Sequence, residues 1–204
     1  MNPQELIQLI DGKNSCVPPH KLYNLWDIVQ RIPEGDILEV GTWRGGTALM
    51  LASSAATHKP KSHVYVCDTF EGIVLAGPND NFHKDGDFGG STSKELVEEL
   101  LGSKGLTNFS VHKGIFPRDT GDQINTKGLS LVHVDVDVYE GHIGIFKWIQ
   151  DKLVIGAVVI FDDYGSPTCL GATKAVHDYF DERTDFDLFV SQNSAYHTFA
   201  VYKG

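Results

Sequence analysis

Two pairs of acids close two apolar runs: Asp135 and Asp137 after Leu129-Ser-Leu-Val-His133-Val, and Asp162-Asp163 after Ala157-Val-Val-Ile-Phe161. Both runs read as short strands buried in a parallel sheet, with the acids at their carboxyl ends. In a doubly wound α/β fold that edge is where ligands bind. One acid at a strand end is commonly a helix cap. Two pairs on neighbouring strands would bring at least three carboxylates together with no Arg or Lys between them. Such a group repels itself unless a hard divalent cation joins it, because uncompensated buried charge is costly. The chemistry expected is cation-assisted.

A second constellation is Glu39-Val-Gly41-Thr-Trp43-Arg-Gly45-Gly46-Thr47, between a strand and a helix. Gly41 permits a tight turn, and Gly45-Gly46 would let backbone approach a ligand at the helix N-terminus. As a dinucleotide motif it fails, since Trp43 replaces the middle glycine and would crowd a pyrophosphate. A methionyl group without phosphates tolerates that residue; glycines serving only packing are the competing reading. Asp68 ends the next strand, where an acid can accept from both ribose hydroxyls or can simply be a turn residue. His133, inside a strand, reads as a satisfied core histidine, and His142 as a first-turn polar residue. Tyr139 and Tyr164 follow the acid pairs as candidate walls of an acceptor pocket.

The elements that must position these residues alternate. Strands are expected at Ile37–Val40, His63–Cys67, Phe109–His112, Leu129–Val134 and Ala157–Phe161. Helices are expected over Thr47–Ala56, from a Thr92/Glu95 capping box carrying Leu96, Val97, Leu100 and Leu101, over Ile143–Leu153, and over Ala172–Phe180. Two helices precede the sheet: one capped by Asn2 and ended by Gly12, one starting after Pro18-Pro19 and stopping before Pro33. Residues 1–35 thus form a helical lid or edge segment before a domain spanning 36–204. Phe186–Val190, a polar turn at Gln192–Ser194, and Tyr196–Tyr202 form a hairpin. A mostly parallel, doubly wound Rossmann-like sheet closed by an antiparallel hairpin resembles the S-adenosylmethionine-dependent methyltransferase fold. Gly72–Gly90, rich in Gly, Asp and Asn, is a candidate mobile lid.

With 204 residues, 41% of them hydrophobic, the chain suits one cored domain. A net charge of −10 without clustered Lys or Arg argues against nucleic-acid partners. The N-terminus has no signal-peptide pattern, and no apolar run approaches the ~18 residues of a membrane span. Cys16, Cys67 and Cys169 are isolated and odd in number, as free thiols in a reducing compartment are. A cytoplasmic protein without membrane partners is expected, and a homo-oligomer is compatible with it.

Five motifs in order carry a family resemblance: Glu39 to Thr47, Asp68-Thr-Phe-Glu-Gly72, Gly114-Ile-Phe-Pro-Arg-Asp-Thr120, His133 to Tyr139, and Asp162-Asp-Tyr-Gly165. From about Asp36 to Phe180 the chain resembles the macrocin O-methyltransferase family, metal-dependent enzymes that methylate sugar hydroxyls of antibiotics. The resemblance implies that Asp135, Asp162 and Asp163 bind Mg²⁺ and that Asp137 is the general base. It implies that Glu39, Gly41 and Asp68 hold the methionyl and ribose parts of S-adenosylmethionine, with Thr42, Trp43, Gly46 and Thr69 in the same motifs. Gly114, Ile115 and Phe116 would border the adenine. Two departures fall where an acceptor is recognised: the segment before the first strand is short, and Glu140-Gly-His-Ile143 stands where the family has a Ser or Thr. The expected reaction is Mg²⁺-assisted O-methylation of a diol-bearing small molecule, such as a sugar. The alternatives are a metal-dependent glycosyltransferase using Asp135-Val-Asp137 as its DxD, and a non-catalytic S-adenosylmethionine-binding protein.

Overall fold

A computed structural model describes residues 2–10, 12–192 and 197–204. Helices α1 (Pro3–Ile10) and α2 (Pro19–Arg31) lead into an alternation of β1 (Asp36–Val40), α3 (Gly46–His58), β2 (Val64–Asp68), α4 (Lys94–Gly102), β3 (Phe109–Lys113), β4 (Leu129–Val134), α5 (Tyr139–Ile149), β5 (Leu153–Phe161) and α6 (Leu170–Phe180). Strands β6 (Phe186–Phe189) and β7 (Thr198–Tyr202) complete the sheet. Its order is β3-β2-β1-β4-β5-β7-β6, parallel through β5, with β7 antiparallel to both its neighbours. The expected mixed Rossmann-like sheet is the one observed. Of the expected hairpin, residues 193–196 lie outside the described residues. Among the described residues no helix is long and apolar enough to cross a membrane.

Successive side chains along a strand point to opposite faces, so a sheet covered on both sides needs apolar residues at every position. The central strands largely meet that demand, with Glu39, Ser130 and His133 as buried polar exceptions in β1 and β4. Ile37, Val66, Leu131 and Ile160 face α1 to α4, whereas their chain neighbours Leu38, Cys67, Val132 and Phe161 face α5 and α6. Leu6, Leu22, Leu25 and Val29 of α1 and α2 are buried in the first of these layers.

Register then levels the strand ends. Val40 pairs with Cys67 on one side and Val134 on the other, and Val134 pairs with Phe161. The next residue of each strand or turn is Gly41, Asp68, Asp135 or Asp162, so four motif residues separated by up to 121 positions share one sheet edge.

Three local expectations are corrected. Ser93, not Thr92, caps α4, its Oγ accepting from Leu96 N at 3.2 Å. Thr92 is drawn away because its hydroxyl donates to Trp43 O. Leu96 is exposed, and Val97 and Leu101 form the buried stripe. Helix α5 begins at Tyr139 rather than Ile143, and Leu153 opens β5 opposite Leu129 instead of ending the helix.

Candidate active site

Gly41 is held at φ +86°, and a Cβ there would lie 1.7 Å from Asp135 O. The glycine is what lets the ends of β1 and β4 meet. Asp68 ties the following turn down: its Oδ2 accepts from Thr42 N and Trp43 N, both at 2.8 Å, and its Oδ1 from Phe70 N at 2.7 Å. A carboxylate offers about four lone-pair sites, so roughly one remains for a ligand. Gly45 and Gly46 admit the chain itself. A Cβ on Gly46 would meet Asn14 O at 2.6 Å, and Gly46 N donates to that carbonyl at 2.9 Å. The loop after α1 therefore covers the start of α3, where a ligand was expected.

A cavity of about 230 Å³ opens beside this turn. Gly41, Thr42, Trp43, Asp68, Thr69, Gly114, Ile115 and Phe116 line it, together with Asp135, Asp137, Asp162 and Asp163. Ser15, Cys16 and Val17 form one wall and Ile73, Val74, Leu75 and Phe88 another, so both segments read as lids border it. Glu39 and Gly46 do not line it. Glu39 is fully buried behind the turn, its Oε1 3.1 Å from His133 Nδ1. Tyr139 and Tyr164 also lie off the cavity, their hydroxyls engaged by Asp178 and His177.

The acids converge: Asp135, Asp162 and Asp163 each present an oxygen within 4.8 Å of the others. They are not free of a cation, as the sequence suggested. Lys21 of α2 places its ammonium 2.6 Å from Asp162 O and 3.4 Å from Asp162 Oδ1. His197, just before β7, brings Nε2 to 2.9 Å from the same Oδ1, and His133 Nε2 is 3.8 Å away. Burial alone would raise the Asp162 pKa, but the two imidazoles and Lys21 hold it well below the usual carboxylate range. Burial would lower the His133 pKa, but Asp162 and Glu39 outweigh it and raise it to about 9. His133 thus lies between two buried acids, Glu39 and Asp162, rather than in apolar surroundings.

Asp135 and Asp163 behave oppositely. Burial first, and the neighbouring acids second, push both well above the normal range. Two carboxylates that resist ionisation beside a third that is fully ionised are what a divalent cation would relieve, and the all-oxygen donor set suits a hard ion such as Mg²⁺. The residues fit the expected ion. His142 does lie in the first turn of α5. It is fully buried, with Nδ1 against Val138 O and Nε2 3.9 Å from Asp163 Oδ2, and burial lowers its pKa to about 4.

Asp137 sits at φ +64°, a conformation costly for a residue with a side chain. Its N–H donates to Asp163 Oδ2 at 2.8 Å, which orients the turn. Its carboxylate accepts from Cys169 Sγ at 3.3 Å and lies 3.6 Å from His83 Nε2; burial raises its pKa. His83 belongs to the 72–90 loop, which is tied to the rest of the chain at two further points. Asp80 Oδ1 accepts from Tyr139 N at 2.9 Å, capping α5 from 59 residues away, and Asn81 Nδ2 donates to Pro167 O at 3.0 Å. Lys21, His83, Cys169 and His197 escaped sequence reasoning because they lie outside the strand-end motifs.

The pattern of the macrocin-O-methyltransferase (TylF) family matches residues 20–189. The 8-demethyl-8-(2,3-dimethoxy-alpha-L-rhamnosyl)-tetracenomycin-C 4'-O-methyltransferase of Streptomyces olivaceus is 30% identical over 71% of this chain and 58% of its own length. The mycinamicin III 3''-O-methyltransferase of Micromonospora griseorubida is 28% identical over 76% of this chain and 64% of its own. The chain thus spans about three-fifths of the length of these relatives. Among solved structures, the O-methyltransferase NovP superposes with a TM-score of 0.77 at 22% identity, covering 94% of this chain and 83% of that one. The calicheamicin methyltransferase CalS11 gives 0.72 at 19%, covering 99% and 91%. At these identities the superpositions speak for the fold, whereas the pattern match covers most of the chain and runs through every strand-end motif: the chain belongs to the macrocin-O-methyltransferase family.

Proposed function

We propose that the protein is an O-methyltransferase that uses S-adenosylmethionine to methylate a hydroxyl of a diol-bearing small molecule, a sugar or sugar conjugate, with Mg²⁺ held by Asp135, Asp162 and Asp163. The relatives' names, methyltransferases of rhamnosylated tetracenomycin and of mycinamicin, support the sugar class. The observation that carries the reading is the convergence of three carboxylates on one wall of a cavity whose other wall is the Gly41–Trp43 turn and Asp68.

In this reading Gly41, Thr42, Trp43, Asp68 and Thr69 hold the methionyl and ribose portions, and Gly114, Ile115 and Phe116 border the adenine. Phe116 is buried against Trp148, with ring centroids 4.8 Å apart, which makes a firm apolar edge there. Bound Mg²⁺ would lower the pKa of an acceptor hydroxyl and fix its orientation. Asp137 takes the hydroxyl proton; its raised pKa makes it a stronger base than an exposed carboxylate. Cys169 and the Asp137–Asp163 contact keep that base aimed. Ile73, Leu75 and Phe88 give the cavity an apolar wall.

Titration calorimetry with S-adenosylmethionine, with and without Mg²⁺, tests the assignment. Donor binding in both conditions, followed by gain of one methylene mass on sugar acceptors in mass spectrometry, is the expected result. Binding of UDP-sugars but not of S-adenosylmethionine would reverse it in favour of glycosyl transfer.

A further inference from the structure

Beside the acid cluster lies a second group of donors of different chemistry. His83 Nε2 is 3.6 Å from Asp137 Oδ1, Cys169 Sγ is 3.3 Å from the same oxygen, and all three atoms lie within 4.8 Å of one another. Tetrahedral zinc with Zn–N and Zn–O near 2.0–2.2 Å and Zn–S near 2.3 Å sets its ligand atoms about 3.3–3.7 Å apart. The two measured edges fall at those separations before any ion is added.

The surroundings match as well. His83 Nδ1, the nitrogen not turned to Asp137, lies 3.5 Å from Asp87 Oδ2, the carboxylate–histidine arrangement that fixes a ligating imidazole. The His83 side chain is 8% exposed and Cys169 is buried, so the donors are shielded from bulk water. Phe82 and Phe88 flank the imidazole, with ring centroids 5.2 and 5.7 Å away. The N, O and S donors differ from the all-oxygen cluster of Asp135, Asp162 and Asp163. Thiolate and imidazole favour zinc-like ions, and Mg²⁺ does not take sulfur.

We propose that His83, Asp137 and Cys169 form a binding site for a thiophilic divalent cation of the zinc class, separate from the carboxylate cluster, and that filling it pins the 72–90 loop and occupies Asp137. On binding, the Cys169 S–H bond breaks, its proton goes to solvent, and a sulfur–metal bond forms without any change of oxidation state. Affinity therefore rises with pH, because the thiol must lose its proton to bind. The binding half stands on this geometry alone. The inhibitory half rests on Asp137 acting as the base in methyl transfer.

Cobalt(II) is the probe, added to the full chain with Mg²⁺ in large excess to keep the carboxylate cluster filled. The expected result is thiolate-to-cobalt charge-transfer absorption that disappears on adding zinc. The absorption is lost in Cys169→Ser and retained in Cys16→Ser, which removes a thiol of the cavity wall. His83→Gln lies on a loop and leaves the core intact; it should weaken zinc binding by more than the roughly 10–100-fold that loss of an outer-shell partner costs. Absence of the sulfur band in the wild type, or its persistence in Cys169→Ser, overturns the site. A sulfur band with undiminished methyl transfer at saturating zinc would leave the site standing and sink only the role of Asp137.

Discussion

Asp137 and Asp162 border one cavity but are held differently, so neutralising each has a different cost. Asp137 keeps its backbone contact to Asp163 when its side chain is changed. Asp137→Asn is expected to lower kcat by about 10²–10⁴ while leaving melting temperature and donor affinity near wild type. Asp162 is the counter-charge of Lys21, its Oδ1 lies 2.9 Å from His197 Nε2, and His133 lies beside it. Asp162→Asn strands buried positive charge, at a cost of about 3 kcal/mol or more. At roughly 2–4 °C per kcal/mol for a domain of this size, melting should drop by about 6–12 °C, and calorimetry should show weaker Mg²⁺ binding. An unchanged melting curve would mean that Lys21 and His197 do not depend on that carboxylate. The acids, Gly41 and Asp68 were legible because apolar runs mark where strands stop. Lys21 and His197 were not: they lie 141 and 35 residues from Asp162, and no local pattern encodes such a meeting.

At the scale of elements, the 72–90 loop is set by its hook. Asp80 occupies the gap between the starts of α5 and α6, and a Cβ on Gly171 would come within 1.9 Å of its Oδ1. Gly171→Ala should evict Asp80 and free the loop. Trypsin cleavage after Lys84 is then expected to accelerate severalfold, with a raised KM for the acceptor and little loss of helix stability, since alanine favours the helix. Equal cleavage rates would show that Asn81 and His83 suffice to hold the loop. The same contact explains a misplaced boundary. The start of α5 has no local cap, because its cap is Asp80, and spacing alone moved the helix to Ile143. Strand positions came through better, since a strand buried on both faces is apolar at every residue.

For the whole molecule, the parallel sheet and its antiparallel closure were readable from the order of elements, but not the burial of α1 and α2 in the main core or the reach of α2 into the acid cluster. Stability should depend on a divalent cation. At 100-fold excess over its dissociation constant, Mg²⁺ would contribute about 2.7 kcal/mol, a rise of roughly 5–11 °C in melting temperature. Asp135→Asn is expected to abolish that rise, and a wild type indifferent to Mg²⁺ and EDTA would remove the cation from the account. The strand order has a further consequence during synthesis. β7 follows β6 in the chain yet lies between β5 and β6, and His197 immediately before it completes the ring around Asp162. A nascent chain still holding those residues in the ribosome tunnel keeps β5 unpaired on that side and the aspartate without its imidazole. An ion taken up by the cluster would meet its full set of partners only once His197 has emerged.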